Sequence, residues 1–420
     1  MKKALFVFSV LFLSLALLSQ QIKEEATVIN IEVPVRVFSG KNFIENLTID
    51  DFEVFENGVS QNIEAVYFVK KRSVERSQEK KRFSPKTARS FFLFFELSRY
   101  DPKIGDAIRY FVHNVLAPGD DLSFVTSMKT YRMKNIAFEV TSPEEVTNQL
   151  IKIVRRDTMT GNSEYRLMIN DISELAQSLS AHMAQGRMDA SAQGPVIDEL
   201  MVPITEGGSS GFYGGRSLEE EFSLYENYVF KLENLRRMDQ KKLLDFAKLL
   251  KKKEGQKYVT IFYQKEFIPQ LNPQLLSQTM SLYQDSPTII QTISNVIEFY
   301  RREVQIDTEL VKQTYADSSI SIHFLYLTTP PESQYGVYMA DHSEDIFSAF
   351  QEMAVATGGY INSSSRADYL IKSAIEASEN YYLLYYSPSH YIVDGKFKEI
   401  VVKVKNKDYR ISHRVGYFAN

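Results

Sequence analysis

The chain has no cysteine among its 420 residues. That excludes disulfides, thiolate-bound metals and a lipid-modified cysteine anchor. Histidine is sparse: His113, His182, His323, His342, His390 and His413 are scattered, and no two stand at ligand spacing on one helix. A zinc site is therefore not expected. No long basic run exists and the formal net charge is -4, which gives no ground for a nucleic-acid partner. Beyond Leu18 no segment is apolar for long enough to cross a bilayer. The sequence also lacks a Gly-x-Ser-x-Gly elbow, a His-Glu-x-x-His pair and a P-loop, so no enzyme is expected. The paired carboxylates Asp50-Asp51 and Asp120-Asp121 fall at turns or helix boundaries, where capping accounts for them.

What is present is ordinary globular material, 44% hydrophobic and 24% charged, enough for roughly two to three domains. The opening "MKKALFVFSVLFLSLALLSQQ" has a basic tip and an apolar run from Ala4 to Leu18. It reads as a secretory signal over residues 1–21, with an uncleaved N-terminal anchor as the alternative. The mature chain is then expected to be exported, periplasmic or secreted, with no further membrane span.

From residue 26 to 70 the pattern is β. Ile31, Val33, Val35 and Val37 alternate with Glu32, Pro34 and Arg36, and Asn57-Gly58 marks a hairpin turn. Residues 71–88, "KRSVERSQEKKRFSPKTA", read as a charged, solvated linker. The run "SFFLFFEL" then has the continuous apolar character of a strand covered on both faces, and Asp101-Pro102 opens a helix. Further helix entries stand at Ser142-Pro143, Asn272-Pro273 and Ser286-Pro287, and further strands at "LSFVTSM", "KYVTIFY" and "SSISIHFLYL". "YRMKNIAFEV" reads as an antiparallel neighbour of "LSFVTSM". This alternation suits an α/β sheet over residues 89–380. Two long additions, at about 157–236 and 268–316, interrupt it. The first holds a Gly/Ser-rich loop, "TEGGSSGFYGGRS", and leads into a helix read from Leu218 to Lys253. Phe222, Tyr225 and Val229 lie on its seam and are candidates for a partner surface. Residues 381–420 are β again. They need the first β segment to bury their apolar faces, so the two are expected to complete one small β-sandwich-like domain. The cluster Tyr381, Tyr382, Tyr385 and Tyr386 reads as a core strand with its hydroxyl ends in water, or else as a ligand platform.

Several motifs converge on one resemblance. "LTIDDFEVFENG" fits an opening pattern Leu-Thr-x-x-Asp-Phe-x-Val-x-x-x-Gly. Near the end stand Thr357-Gly358-Gly359, Tyr382-x-Leu384-x-Tyr386-x-Pro388, Asp394-Gly395-x-Phe397 and Arg414-x-Gly416-Tyr417. Together they resemble the bacterial VWFA-related domain family: exported proteins with a von Willebrand factor A-like domain between short β segments. The resemblance covers most of the chain outside the two additions. It implies an α/β fold with a doubly wound, mostly parallel von Willebrand factor A-like sheet, carrying helical insertions and set into the β-sandwich-like domain. It also implies binding of a protein partner at the C-terminal edge of the sheet, in many members through a metal held by Asp-x-Ser-x-Ser, a later Thr and a later Asp.

Position by position, the resemblance puts Glu96, Ser98 and Tyr100 at the first three ligand positions and Tyr263 and Gln264 at a Ser-Asp pair. Thr158 and Thr160 are the candidates for the Thr. Mg²⁺ needs near-octahedral oxygens at about 2.1 Å. Tyr100 is too bulky for a hydroxyl ligand, Gln264 carries no charge, and Arg99 and Lys265 add positive charge nearby. No cofactor is therefore expected, residual Mg²⁺ included, and a Glu96–Lys265 ion pair is expected in the ion's place. Arg99 joins the partner-surface candidates. The expected function is a non-enzymatic protein-binding or scaffold role. The alternatives are a metal-dependent adhesin-type module and an envelope hydrolase built on the insertions.

Overall fold

The computed structural model describes residues 29–133, 140–191, 216–236, 240–301, 306–331 and 337–420. The expected signal and most of the Gly/Ser-rich loop lie outside them. The first described part is β: β1 (Ile31–Ser39), β2 (Asn42–Phe43), β3 (Phe52–Glu56), β4 (Val59–Gln61), β5 (Ile63–Lys70) and β6 (Ser73–Glu79). Next come β7 (Arg89–Glu96), α1 (Lys103–Asn114), β8 (Asp121–Val125), β9 (Thr130–Arg132), α2 (Pro143–Gly161), α3 (Ser163–Ser191), α4 (Leu218–Arg236) and α5 (Gln240–Lys251). They are followed by β10 (Gln256–Gln264), β11 (Phe267–Gln270), α6 (Pro273–Leu282), α7 (Pro287–Tyr300), α8 (Thr308–Asp317) and β12 (Ile320–Leu327). The chain closes with β13 (Tyr338–Asp341), α9 (Glu344–Ala356), β14 (Tyr360–Ser364), α10 (Ala367–Glu376), β15 (Asn380–Tyr386), β16 (Phe397–Val404), β17 (Arg410–His413) and β18 (Gly416–Phe418).

The local signals in the sequence account for many element ends. Asp101 Oδ1 accepts the Lys103 N–H at 2.9 Å, and Ser142 Oγ accepts the Glu145 N–H at 3.2 Å. Asn57, at φ 47, and Gly58, at φ 81, make the β3–β4 turn. Gly359 is required by close approach: a Cβ there would stand 1.7 Å from the Ile322 carbonyl oxygen.

The strand pairings overturn the expected fold class. Among the described residues, ten of the fourteen ladders are antiparallel. A strongly curled, half-barrel-like antiparallel sheet runs β17-β1-β15-β5-β6, and a second antiparallel sheet runs β18-β16-β3-β4. The central sheet, β14-β12-β10-β7-β8-β9, is parallel only in part, because β9 turns back along β8. The protein is thus mixed α/β with mostly antiparallel sheets, not a doubly wound, mostly parallel von Willebrand factor A-like sheet. The physical reason is connection length. Hairpins join β3 to β4, β5 to β6 and β8 to β9, and a connection that short can only return antiparallel. The stretch read as a linker contains one of these strands: β6 pairs with β5 from Ala65↔Glu79 to Lys70↔Ser73.

The two ends of the chain do pair, Ile31 with Tyr386 and Val54 with Val402. Their sheets share one core, which includes Val33, Val35, Phe68, Tyr382, Leu384 and Val402. The tyrosine cluster is buried, and its hydroxyl ends are not in water. Tyr385 donates to Glu32 at 2.6 Å, Tyr386 to Glu56 at 2.7 Å and Tyr382 to the Ile44 carbonyl at 2.8 Å.

The central sheet packs α1, α2 and α10 into one core and α5, α8 and α9 into another. The two insertions form a core of their own, in which Leu175 of α3 and Phe222 and Val229 of α4 meet Leu276 of α6 and Ile293 of α7. Of the helix read from Leu218 to Lys253, the described residues are helical over Leu218–Arg236 (α4) and Gln240–Lys251 (α5), and 237–239 lie outside them. No described helix is long and apolar enough to cross a membrane.

Candidate functional site

Parallel strands β7, β10 and β12 end side by side, with Tyr263 in register with Glu96 and Gln264 with Leu327. Successive side chains on a strand point to opposite faces. Gln264 therefore shares a face with Phe262 and Tyr258, while Tyr263 and Glu96 belong to the other. This separates residues that the sequence grouped.

Ser98 and Gln264 do meet. The Ser98 hydroxyl donates to Gln264 Oε1 at 3.1 Å, and the Arg99 N–H donates to the same oxygen at 2.9 Å. Gln264 Nε2 donates to Thr329 Oγ1 at 3.4 Å. A buried neutral amide thus ties the loop after β7 to the loop after β12. Tyr100 takes no part. It packs against the core of α1 and α2, with the Arg155 guanidinium 5.9 Å from its ring centroid. Tyr263 stacks on Tyr326, with centroids 5.9 Å apart.

Glu96 is solvent-accessible yet closely surrounded. Desolvation, helped by the Glu266 carboxylate, raises its pKa above the ordinary glutamate value. The expected Glu96–Lys265 ion pair is not formed. Lys265 pairs with Asp341, which also accepts the Ser343 hydroxyl at 2.9 Å and the Ser343 N–H at 3.1 Å. Burial would raise the Asp341 carboxyl, but these bonds outweigh it and hold the pKa below the usual aspartate value. Asp341 lies 76 positions beyond Lys265 in the chain, brought there by the β11–β13 pairing, and no local pattern announces it.

Thr158 and Thr160 sit in the last turns of α2, and neither hydroxyl reaches Ser98 or Gln264. The backbone there is used instead. Arg166 Nη1 donates to the carbonyls of Thr158 at 3.1 Å and Ser98 at 3.3 Å, and Asn162 Nδ2 donates to the Leu97 carbonyl at 2.7 Å. A cation suits a helix C-terminus, where the carbonyls converge. Sequence reading missed Arg166 and Asn162. The available signal was the Gly161-Asn162 break between two helical stretches.

The partner-surface candidates separate as well. Arg99 is exposed, but Phe222, Tyr225 and Val229 are core residues with at most 1% exposure. Their seam faces α3 and α7, not a partner. Outward on α2, beside Tyr100, lies an open depression of about 410 Å³ whose lining includes Ile151, Lys152, Arg155, Arg156 and Met159. In the insertions, Ser178 Oγ donates to Glu221 at 2.8 Å and His182 Nδ1 stands 3.0 Å from the same carboxylate. Both groups are bound to the acid and not to each other, which is not a nucleophile–base arrangement.

A second network braces the site. Buried Asp157 accepts from Thr126 at 2.8 Å, Tyr131 at 2.6 Å and Arg156 at 2.7 and 2.9 Å. Burial acts to raise its pKa, yet the bonds from Tyr131, Arg156 and Thr126 prevail and lower it. A depressed carboxylate contributes stability that is complete above the unfolded-state pKa and is lost as pH falls through the folded one. The stability gap between the wild type and Asp157→Asn should therefore be wide at about pH 7 and narrow toward about pH 3. Urea denaturation at both pH values measures it, and an equal gap would refute the assignment.

No family model matches the chain. No curated protein matches it. Among solved structures, the human COPII-coat protein Sec24c aligns at 6% identity with a TM-score of 0.28, covering 80% of this chain and 44% of that one. This chain therefore spans less than half of that protein's length. A likeness that low carries no argument about fold or function.

Proposed function

We propose that the chain is an exported, non-enzymatic protein-binding or scaffold protein that engages its partner without a metal at this sheet edge. The observation that carries the reading is the Gln264 tie. A neutral amide satisfies Ser98 and Arg99 at one end and Thr329 at the other, so the central polar groups already have protein partners. Arg166, bonded to the Ser98 carbonyl, adds positive charge, which opposes a cation. What this region offers a partner is exposed Arg99 and the cationic depression on α2. Export rests on the basic tip and apolar run at the start of the sequence.

A metal-dependent adhesin-type module is the second reading, favoured by Glu96, whose carboxyl is crowded by Glu266. One experiment separates the two. Mg²⁺ and Mn²⁺ are titrated into the full chain while the melting temperature is followed. No saturable rise is expected, and a clear one would sink the metal-free reading. Gln264→Ala should lower stability by about 1–2 kcal/mol, through the unsatisfied Ser98 and Arg99 donors, without creating a response to metal. Crosslinking in cells then identifies the partner. Recovery of no specific protein at an edge carrying a photo-crosslinker at Arg99 would count against partner binding there.

A further inference from the structure

The face of β1 turned toward the central sheet inserts Arg36 between the terminal sheets and the N-terminal end of β12. Arg36 is 1% exposed. Its Nη1 donates to the Gly358 carbonyl at 2.9 Å and its Nη2 to Ser321 Oγ at 3.2 Å, and the Tyr258 hydroxyl lies close by. All three groups are neutral. No carboxylate among the described residues pairs with it. The neighbouring acids are engaged elsewhere: Asp120 with Arg89, and Glu32 with Tyr385.

Around this guanidinium several buried polar groups lack partners. Arg36 Nε, the Tyr381 hydroxyl and both ring nitrogens of His323 are buried without a hydrogen-bond partner among the described residues. Arg36 lies 5.9 Å from the Tyr381 ring centroid, and the His323 ring stacks on Tyr258 with centroids 6.1 Å apart. An isolated buried charge costs several kcal/mol unless a counter-charge accompanies it. Water can satisfy donors but brings no charge. A small anion does both.

We propose that a monovalent anion of the halide class binds between Arg36, Tyr381 and His323, at the junction of the terminal sheets and the central sheet. Arg36 supplies the charge and Nε–H, Tyr381 the O–H, and neutral His323 one ring N–H. Arg36, Tyr258, Ser321, His323 and Tyr381 are each at most 6% exposed, so an ion held among them is shielded from bulk water.

The test uses the full chain at fixed ionic strength, in sodium gluconate with increasing chloride or bromide. The melting temperature should rise saturably, by about 2–4 °C or more. Arg36→Gln should abolish that dependence. Tyr381→Phe, which keeps the ring and removes one donor, should move the chloride midpoint about tenfold upward. Crystals grown in bromide should show an anomalous peak beside Arg36 Nε. Equal melting in gluconate and halide, or an undiminished halide effect in Arg36→Gln, overturns the proposal. If Arg36→Gln does not fold, an unshifted chloride midpoint in Tyr381→Phe together with no bromide peak does the same.

Discussion

Asp120→Ala is expected to destabilise the protein by about 3–5 kcal/mol, the range for removing one partner of a buried ion pair. Asp120 is 1% exposed and Arg89 is 4% exposed. The pair is bidentate: Nε to Oδ1 at 3.1 Å and Nη2 to Oδ2 at 2.5 Å. Arg89 also donates to the Val115 carbonyl at 2.9 Å, and Asp120 accepts the Ala117 N–H at 2.9 Å. One interaction therefore fastens the start of β7 to the turn after α1. Truncating Asp120 strands a guanidinium that cannot reach bulk water without opening that turn. The double variant Arg89→Met/Asp120→Leu removes both charges and should recover much of the loss. Urea denaturation of the two variants checks this. A single-variant loss below about 1 kcal/mol would place the pair with weak surface bridges and refute the argument.

Asp120 also shows where the sequence was legible. Its neighbourhood reads correctly as the end of a helix and the start of a strand, because Pro118, Gly119 and the paired acids are local signals. Burial and the bond to Arg89 depend on residues 31 positions apart, and no local pattern encodes them. The same division runs through the molecule. Helix starts at Ser142, Asn272 and Ser286, the first two capped by the side chain and all three followed by proline, and the turn at Asn57-Gly58, were readable because cap, proline and turn chemistry acts within three or four residues. The balance of sheet types was not. Runs such as "SFFLFFEL" announce burial on both faces, but how many strands pair antiparallel depends on the hairpins, and one of these, β5–β6, lay in charged sequence whose second strand is wholly exposed. At the candidate site, Ser98 and Gln264 were both singled out as positions of a metal-ligand pattern, yet their bond was not foreseen. Nor was the loss of Lys265 to Asp341, since both contacts are set by how separate loops land at one sheet edge.

The helical insertions give the other large effect. Phe222→Ala is expected to cost about 3–5 kcal/mol, the range for deleting a buried aromatic ring and leaving a cavity. Phe222 is fully buried within a core to which α3, α4, α6 and α7 all contribute, alongside Tyr225, Val229 and Ile293. One turn away, the Tyr225 hydroxyl donates to the Pro269 carbonyl at 3.1 Å and meets the Tyr300 hydroxyl at 2.6 Å, so the helix is pinned by polar as well as apolar contacts. A ring on the other side of the same helix supplies the control. Phe230 is 55% exposed, and Phe230→Ala should change stability by less than about 0.5 kcal/mol. A seam reserved for an outside partner would give the reverse for Phe222: little change in the isolated chain and a loss of partner capture. Because α3 and α4 belong to one insertion and α6 and α7 to the other, the cavity lies between them. Hydrogen exchange in Phe222→Ala should accelerate in both insertions together, and acceleration confined to α4 would show that they do not share a core.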